Sequence, residues 1–492
     1  MRTFLTLCGV LALIGASYAF KSQKYQKPTD HVTSDWIYNG TFRTRVDHFR
    51  AQDGRFVDFV YHANLNFTGD EGPVYIYLKD AGDYTTRWIE SGLMVDIARQ
   101  NNGSLFTFDY RFFGTNRPTD NATFENLQFL TTEQILADLA QFVSYVKLFH
   151  DVYGGNTIVY GAGYGGTLAT WARKKFPHLI DAAWSSSGIY ELTVASLSVY
   201  DSLSYSIYRT RGADCRNLIQ EAFEEAERLI IADDADELQE LFNLCNPINT
   251  TSPNDVSSFF QNYFDLLVLY IQQQHADGVH DMCDDLEEST LPPLEAFAEF
   301  VRFALVGEEC FDATYDNIIA ERSNTSWNQP GTLSGSKQKS HYLKILKDVK
   351  NILGRQWHYI QCTQAGLFQV TDQWTWLPNH AELGYQAQVC INVLGPNYVF
   401  DFIRAALETL RNQYGSLYLR SSRTIFTYGE IDPKMYNGIT YTDDPESVAI
   451  SIPGHGRASD MSSIQATDSA ELQAVKERII ELVGNFSVPF RP

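Results

Sequence analysis

The sequence predicts an α/β protein, a mostly parallel sheet with helices on both faces that is interrupted by a helical insertion and then completed. Three observations carry this. Strand and helix patterns alternate through the first 190 residues, and strands joined through helices run parallel. The runs Pro73–Leu78 and Leu105–Asp109 are apolar or aromatic with little alternation, as in strands covered on both faces. From about residue 192 the periodicity becomes helical and acidic, and strand signals return only near residue 424.

Taken in order, Arg2, the apolar run Phe4–Ile14 and the small-residue site Ser17-Tyr18-Ala19 make residues 1–19 a secretory signal, too short for a membrane span. Residues 20–45 are polar and read as a loose lead-in. Arg55–Tyr61, Pro73–Leu78 and Leu105–Asp109 are strands, with a helix over Trp88–Gln100. Glu133–Phe149 carries apolar residues at helical spacing, with Thr131 or Thr132 as its cap. Thr157–Tyr160 is a strand that runs into glycines and then a helix, and Ala182–Ser187 is a further strand. The insertion holds helical patterns at Leu218–Ala232, Asp236–Leu244, Phe259–Gln274 and Leu294–Val306. Thr424–Tyr428 and Ser447–Ile452 complete the sheet, and Ser469–Gly484 is the last helix. The expected division is 20–191 for the first part of the sheet domain, 192–345 for the lid and 346–492 for its second part.

A formal charge of −22 argues against nucleic acid, whose phosphates require clustered Lys and Arg. No run after the signal is long enough to span a bilayer. Once Cys8 leaves with the signal, six cysteines remain (Cys215, Cys245, Cys283, Cys310, Cys362 and Cys390), an even number suited to disulfides in an oxidising route. Seven glycosylation sequons start at Asn39, Asn66, Asn102, Asn121, Asn249, Asn324 and Asn485. Together these point to a secreted or lumenal glycoprotein, extracellular or in a lysosome or vesicle.

The glycine cluster Gly161-Ala-Gly163-Tyr-Gly165-Gly166 admits two readings. As Gly-x-Gly-x-x-Gly it is the spacing of a dinucleotide loop, but the acid that should end the next strand is Asp181, which begins it. As Gly-x-Ser-x-Gly it is a nucleophile elbow whose serine has become Gly163. The later positions favour the elbow. Asp432 lies just past a late strand, where a triad acid belongs, and the loop Pro453–Met461 follows the next strand, where the base belongs. That order is the framework of an α/β-hydrolase.

Several further stretches are landmarks: Val46-Asp-His-Phe49, Gly72-Pro73, Asp109-Tyr-Arg-Phe-Phe-Gly114, the run Asn126–Leu139, Gln361-Cys-Thr363, Gly429-x-x-Asp-Pro433 and Ser459-Asp-Met461. With the elbow, they make the chain resemble, from Val46 to its end, the serine exopeptidases that include lysosomal Pro-X carboxypeptidase, dipeptidyl peptidase II and thymus-specific serine protease. The resemblance implies an α/β-hydrolase with a helical, disulfide-containing lid, a bond between Cys362 and Cys390, and a homodimer as one open state. It also implies a cleft in which Tyr164, Lys79 and Asp80 contact the ligand.

The departures fall on the chemistry. Gly163 stands at the family's nucleophilic serine and Arg457 at its base histidine, leaving Asp432 alone of the triad. The family's Gly-Gly-Glu-Gly turn reads Lys79-Asp80-Ala81-Gly82, and the Glu that follows Cys-Thr in many relatives is Gln364. Glycine offers no oxygen for an acyl-enzyme, and a permanently charged guanidinium accepts no proton. Loss of a triad serine or histidine costs about 10⁶ in turnover.

The expectation is therefore a catalytically degenerate exopeptidase relative that binds peptides or a protein partner in the old cleft. Arg457 and Asp432 would form an ion pair that plugs the site, and Lys434 would add positive charge suited to a peptide carboxylate. The alternatives are an active serine-type peptidase for short, proline-containing peptides using a displaced base such as His455 or another nucleophile, and a structural or storage glycoprotein. Ser185–Ser187 read as buried strand-end hydroxyls. His275, His280, Asp281 and Cys283 are spaced loosely like metal ligands, but a disulfide for Cys283 and a lid loop for the histidines fit better, so neither metal nor cofactor is expected. The acidic cluster at 284–288 reads as a solvated face, and Trp374, Trp376 and Tyr385 fit a cleft wall or core packing equally.

Overall fold

The computed structural model describes residues 36–80, 85–304, 309–327 and 354–488, except the side chains of residues 273–275 and 304. The expected signal segment, and Ala81 and Gly82 of the turn, lie outside the described residues. The main sheet is built from β1 (Tyr38–Arg45), β2 (Phe56–Asn64), β3 (Val74–Leu78), β4 (Ser104–Phe108), β5 (Thr157–Ala162) and β6 (Ala182–Ser186). A two-stranded parallel pair, β7 (Ala195–Ser196) and β8 (Phe368–Gln369), stands apart from it. β9 (Thr424–Gly429) and β10 (Val448–Ile452) complete the main sheet. Its order is β1-β2-β4-β3-β5-β6-β9-β10. Only β1–β2 and β2–β4 pair antiparallel; the rest of the ladder is parallel.

The apolar central strands divide their side chains between two cores, as a pleat with period two dictates. On β3, Val74, Ile76 and Leu78 face one core, with α2 (Thr132–Phe149) and α3 (Tyr164–Lys175) packed over it. Tyr75 and Tyr77 face the other, covered by α1 (Leu93–Gln100) and α13 (Ala470–Ser487). The expected helix at 88–100 is two pieces, Arg87–Glu90 and α1, because Gly92 between them has φ +117°. Thr131 caps α2, its hydroxyl accepting from the Gln134 amide.

The lead-in expected up to residue 45 is corrected. Residues 38–45 form β1, whose eight residues pair fully with β2. It is an edge strand with polar residues on its outer face and Phe42 buried, so few apolar residues signal it.

Between β7 and β8 lie α4 (Ser198–Arg211), α5 (Ala213–Ile231), α6 (Ala235–Phe242), α7 (Pro253–Glu288), α8 (Pro293–Ala304) and α9 (Tyr315–Ser323), and then α10 (Arg355–Ile360) with a π turn over Gln361–Ala365. Helices α4 to α8 enclose a separate apolar core of Phe223, Phe242, Phe259, Phe264 and Phe297, to which Trp376 and Leu377 also contribute. Disulfides Cys215–Cys283 and Cys245–Cys310 tie this layer together, and Cys362–Cys390 joins the π turn to α11 (Leu383–Leu394). α12 (Phe400–Tyr414) returns the chain to the sheet core. This is an α/β-hydrolase fold with an inserted helical lid. Among the described residues, no helix is long and apolar enough to cross a membrane.

Candidate active site

β5 ends where Gly163 turns the chain into α3 with φ +54° and ψ −123°. The neighbouring glycines serve packing. A Cβ on Gly161 would lie 2.4 Å from the Leu78 carbonyl oxygen, and one on Gly165 would lie 2.1 Å from the same atom. Their bare Cα atoms let α3 start directly against β3, the close approach of a nucleophile elbow.

At the elbow the space of a nucleophile is occupied. A Cβ on Gly163 would lie 1.9 Å from an Arg457 Nη2 and 2.5 Å from Asp80 Oδ1. Arg457 donates to Asp80 at 2.5 Å, and both side chains are mostly buried, 17% and 18% exposed. The expected pairing of Arg457 with Asp432 is thus corrected: the partner is Asp80, which β3 delivers from the other side of the elbow. Burial works to deprotonate Arg457, but the charge of Asp80, reinforced by that of Asp432, outweighs it and raises the pKa.

Asp80 makes a second contact. The backbone N–H of Tyr164 donates to its Oδ1 at 2.9 Å. In this fold the amide following the nucleophile is one of the two donors that receive the oxyanion of acyl transfer. Here it holds a carboxylate of the chain itself. Lys79, next in sequence, is turned away and buried, donating to Asp109 at 2.7 Å.

Asp432 is 1% exposed. Its Oδ1 accepts from Gln272 Nε2 at 3.0 Å and from the Lys434 amide at 3.0 Å, whereas Oδ2 has no hydrogen-bond partner among the described residues. His455 does not meet it: that imidazole bonds Ser469 at 2.9 Å, on the cap of α13. The Asp432 and Arg457 loops are stitched together by Ile431 N–H to the His455 carbonyl at 3.0 Å. Beside the elbow a partly open cleft runs toward the lid. Tyr164, Asp80 and Arg457 line one end, and Asp265, Arg322 and Lys434 contribute its remaining charges. Tyr164 keeps its phenol protonated, pushed up to about 12 by burial, and bonds Thr132 at 3.2 Å.

With this geometry in view, the relationships of the chain are informative. Residues 44–479 match the family described as serine carboxypeptidase S28. The chain belongs to that family. It is 25% identical over 459 residues to thymus-specific serine protease of Mus musculus, covering 89% of this chain and 86% of that protein. It is 23% identical over 471 residues to lysosomal Pro-X carboxypeptidase of Mus musculus, covering 90% and 89%. Among solved structures, proline iminopeptidase from Mycobacterium smegmatis aligns over 87% of this chain and 94% of that one at 10% identity, with a TM-score of 0.35.

The S28 landmarks away from the elbow are structural. Arg111 grips Asp138 through Nε at 2.7 Å and Nη2 at 2.8 Å, both residues fully buried, while His48 and Thr44 each reach Asp138 Oδ1 at 2.8 Å. Asp47 and the His48 amide bond opposite ends of the Gln134 amide group. An Asp and a His in contact therefore serve here to bind β1 and its following loop to α2. Gln364 ties the π turn to the start of α2, accepting from the Thr132 amide at 2.7 Å and donating to the Leu130 carbonyl. Ser186 donates to the buried Asp460, and Ser185 accepts from Tyr190.

Cys283 is in its disulfide, and His275 and His280 lie on α7, a helix of 36 residues, instead of a lid loop. Asp284 and Glu287 of the acidic cluster pair with Arg211. Trp376 and Tyr385 pack inside, whereas Trp374 is 83% exposed; none lines the cavity. Sequence reasoning missed Gln272, Asp265 and Arg322. Nothing in a helical repeat distinguishes a polar residue facing a cavity from one facing solvent.

Proposed function

We propose that this S28 relative is non-catalytic and uses its cleft to bind peptides or a partner. The carrying observation is the Arg457–Asp80 pair in the volume a serine side chain would need, with Asp80 already on the Tyr164 amide. Hydrolysis in this fold needs a nucleophilic oxygen, a base that shuttles its proton, and donors free to receive the developing oxyanion. Gly163 offers no oxygen, Arg457 stays protonated, and the oxyanion donor is engaged. The unpartnered Oδ2 of Asp432 is what remains when the imidazole that an acid would orient is replaced.

A displaced base finds no support, since His455 is turned to Ser469. Secretion into an oxidising lumen is part of the same reading, and three disulfides suit it. Of the sequon asparagines, Asn39, Asn66, Asn102, Asn249 and Asn485 are exposed, as a glycan requires, while Asn121 and Asn324 are half-buried.

The test is labelling by a fluorophosphonate probe, with hydrolysis of fluorogenic dipeptide and Pro-X substrates measured at pH 5 and pH 7. Neither labelling nor turnover is expected. Labelling that disappears when one identified serine is substituted would overturn the non-catalytic reading.

A further inference from the structure

β1 is the outer strand of the main sheet, and its free edge is closed along only part of its length. All eight residues pair in unbroken register with β2. The strand holds neither proline, lysine nor a bulge, the devices that usually keep an edge from accepting another strand. The Val46 amide donates to the Arg55 carbonyl, so by alternation the even-numbered residues turn their backbone groups toward β2, and Asn39, Thr41, Arg43 and Arg45 turn theirs outward. Three of those four outward carbonyls are taken. Tyr145 donates to Thr41 at 2.9 Å, Gln141 to Arg43 at 2.6 Å and Arg111 to Arg45 at 3.1 Å.

The fourth, on Asn39, has no side-chain donor among the described residues, and helix geometry gives the reason. Gln141 and Tyr145 lie one turn apart on α2. A step of four residues along a helix, about 6 Å, nearly matches two residues along a strand, about 6.7 Å. The next position on that stripe is Phe149, a ring with no donor, stacked on Tyr145 with centroids 5.2 Å apart. Phe149 and Tyr38 are both exposed, and His150 packs between them at 5.2 Å from one ring and 5.5 Å from the other. The stretch Trp36-Ile-Tyr-Asn-Gly-Thr-Phe42 around the open carbonyl carries no charge and is rich in aromatic and β-branched residues, the composition of a segment that pairs with copies of itself. The charged residues of the strand, Arg43 and Arg45, sit at its other end.

In the middle of that stretch stands the sequon Asn39-Gly-Thr41. Asn39 is exposed, and its Oδ1 meets His62 Nδ1 of β2 at 2.5 Å. Its Nδ2, the atom that carries a glycan, has no partner among the described residues.

We propose that a glycan on Asn39 closes the open end of β1, and that two copies of the chain pair through this edge when the glycan is missing. The proposal rests on the reading of the chain as a secreted glycoprotein and gives one sequon a task. A bulky sugar at this position keeps a second backbone from the one outward carbonyl that α2 and Arg111 do not reach. Because the two edges are identical, pairing through them gives a closed two-fold dimer.

The test begins with glycopeptide mass spectrometry of the whole protein secreted from cells, which should find Asn39 occupied. Asn39→Gln and Thr41→Ala each remove the sequon and should keep the wild-type circular dichroism. Sedimentation of each through a dilution series should show a weight-average mass about twofold above that of the wild type at the highest concentration. Asn39→Lys also lacks the glycan but places a charge on the edge, and Asn485→Gln removes an exposed sequon of α13; both should sediment as the wild type does. Wild-type sedimentation of both Asn39→Gln and Thr41→Ala, association of Asn39→Lys equal to that of Asn39→Gln, or glycans at other sequons with Asn39 bare would each overturn the proposal. Glycans at none of the sequons would overturn the reading of a secreted glycoprotein itself, and the proposal with it.

Discussion

Gly163 combines a left-handed backbone with a side-chain direction already filled by Arg457 and Asp80. Restoring serine alone should therefore destabilise the chain. The strained backbone costs roughly 1–3 kcal/mol in a non-glycine residue, and displacing the ion pair adds to it. Gly163→Ser is expected to lower Tm without gaining fluorophosphonate labelling. Adding Arg457→His and Asp80→Gly vacates the space and frees the Tyr164 amide, so the triple variant should regain the part of Tm lost to the clash, though not the part lost to backbone strain, and show slow labelling. A single variant that labels as fast as the triple would mean that the pair does not block the elbow. The losses of serine and histidine were legible because motif positions flank them in sequence. What fills the gap was not: Asp80 and Arg457 lie 377 residues apart, and nothing local says that one would take the other in preference to Asp432. In place of the expected Arg457–Asp432 pair, Arg457 reaches Asp80 and Asp432 Oδ1 is met by Gln272, a residue of the lid.

Among elements, α2 and the β1–β2 edge are held by the buried Arg111–Asp138 pair, which also receives His48 and Thr44. Asp138→Ala leaves the guanidinium of Arg111 buried and uncompensated, a defect that typically costs 3–5 kcal/mol. The expected result is a large loss of stability in denaturant titrations, with misfolding when the protein is expressed at 37 °C. A loss under about 1 kcal/mol would show that the network is dispensable. In the lid, Cys215–Cys283 closes a span of 68 residues between α5 and α7; loop entropy assigns such a link about 4 kcal/mol. Replacing both cysteines by serine should raise hydrogen exchange in α5, α7 and α8 and leave β3 and β5 protected. Equal loosening of the sheet would mean that lid and sheet unfold as one. The central strands and the position of the helical insertion were legible because apolar runs and helical spacing are local signals. β1 was not, since an edge strand needs only one buried face. α7 read as a short helix because the polar, acidic stretch after Gln274 loses the apolar spacing, although the backbone stays helical to Glu288.

Over the whole molecule, buried ionisable groups set how stability varies through the pH range of an acidic lumen. Asp265 is raised to about 6 by burial, and Asp460 is raised by burial against the hydrogen bonds of Ser186, Thr427 and Trp184. A raised carboxyl contributes stability that is full below the unfolded pKa of about 3.9 and is lost as pH rises through the folded value. His358 is lowered by burial, then by Arg322 and Arg355, and His455 is lowered by burial. A buried neutral histidine acts in the opposite sense, since the unfolded chain takes up protons below about 6.5 and the folded one does not. Between pH 7 and pH 5 the two sets oppose, so Tm should change by only a few degrees. Below pH 4 a third kind of group decides. Burial works to raise Asp138, but Arg111 and His48 outweigh it and hold its pKa below the ordinary value, so its stabilisation is lost as pH falls through that depressed value. A scanning-calorimetry series should thus show a plateau from pH 7 to 5 and a steep fall below 4. A steady decline already between pH 7 and 5 would mean that the histidines dominate, and would argue against residence in an acidic compartment. Asp138→Asn should flatten the fall below pH 4 while lowering Tm throughout the plateau.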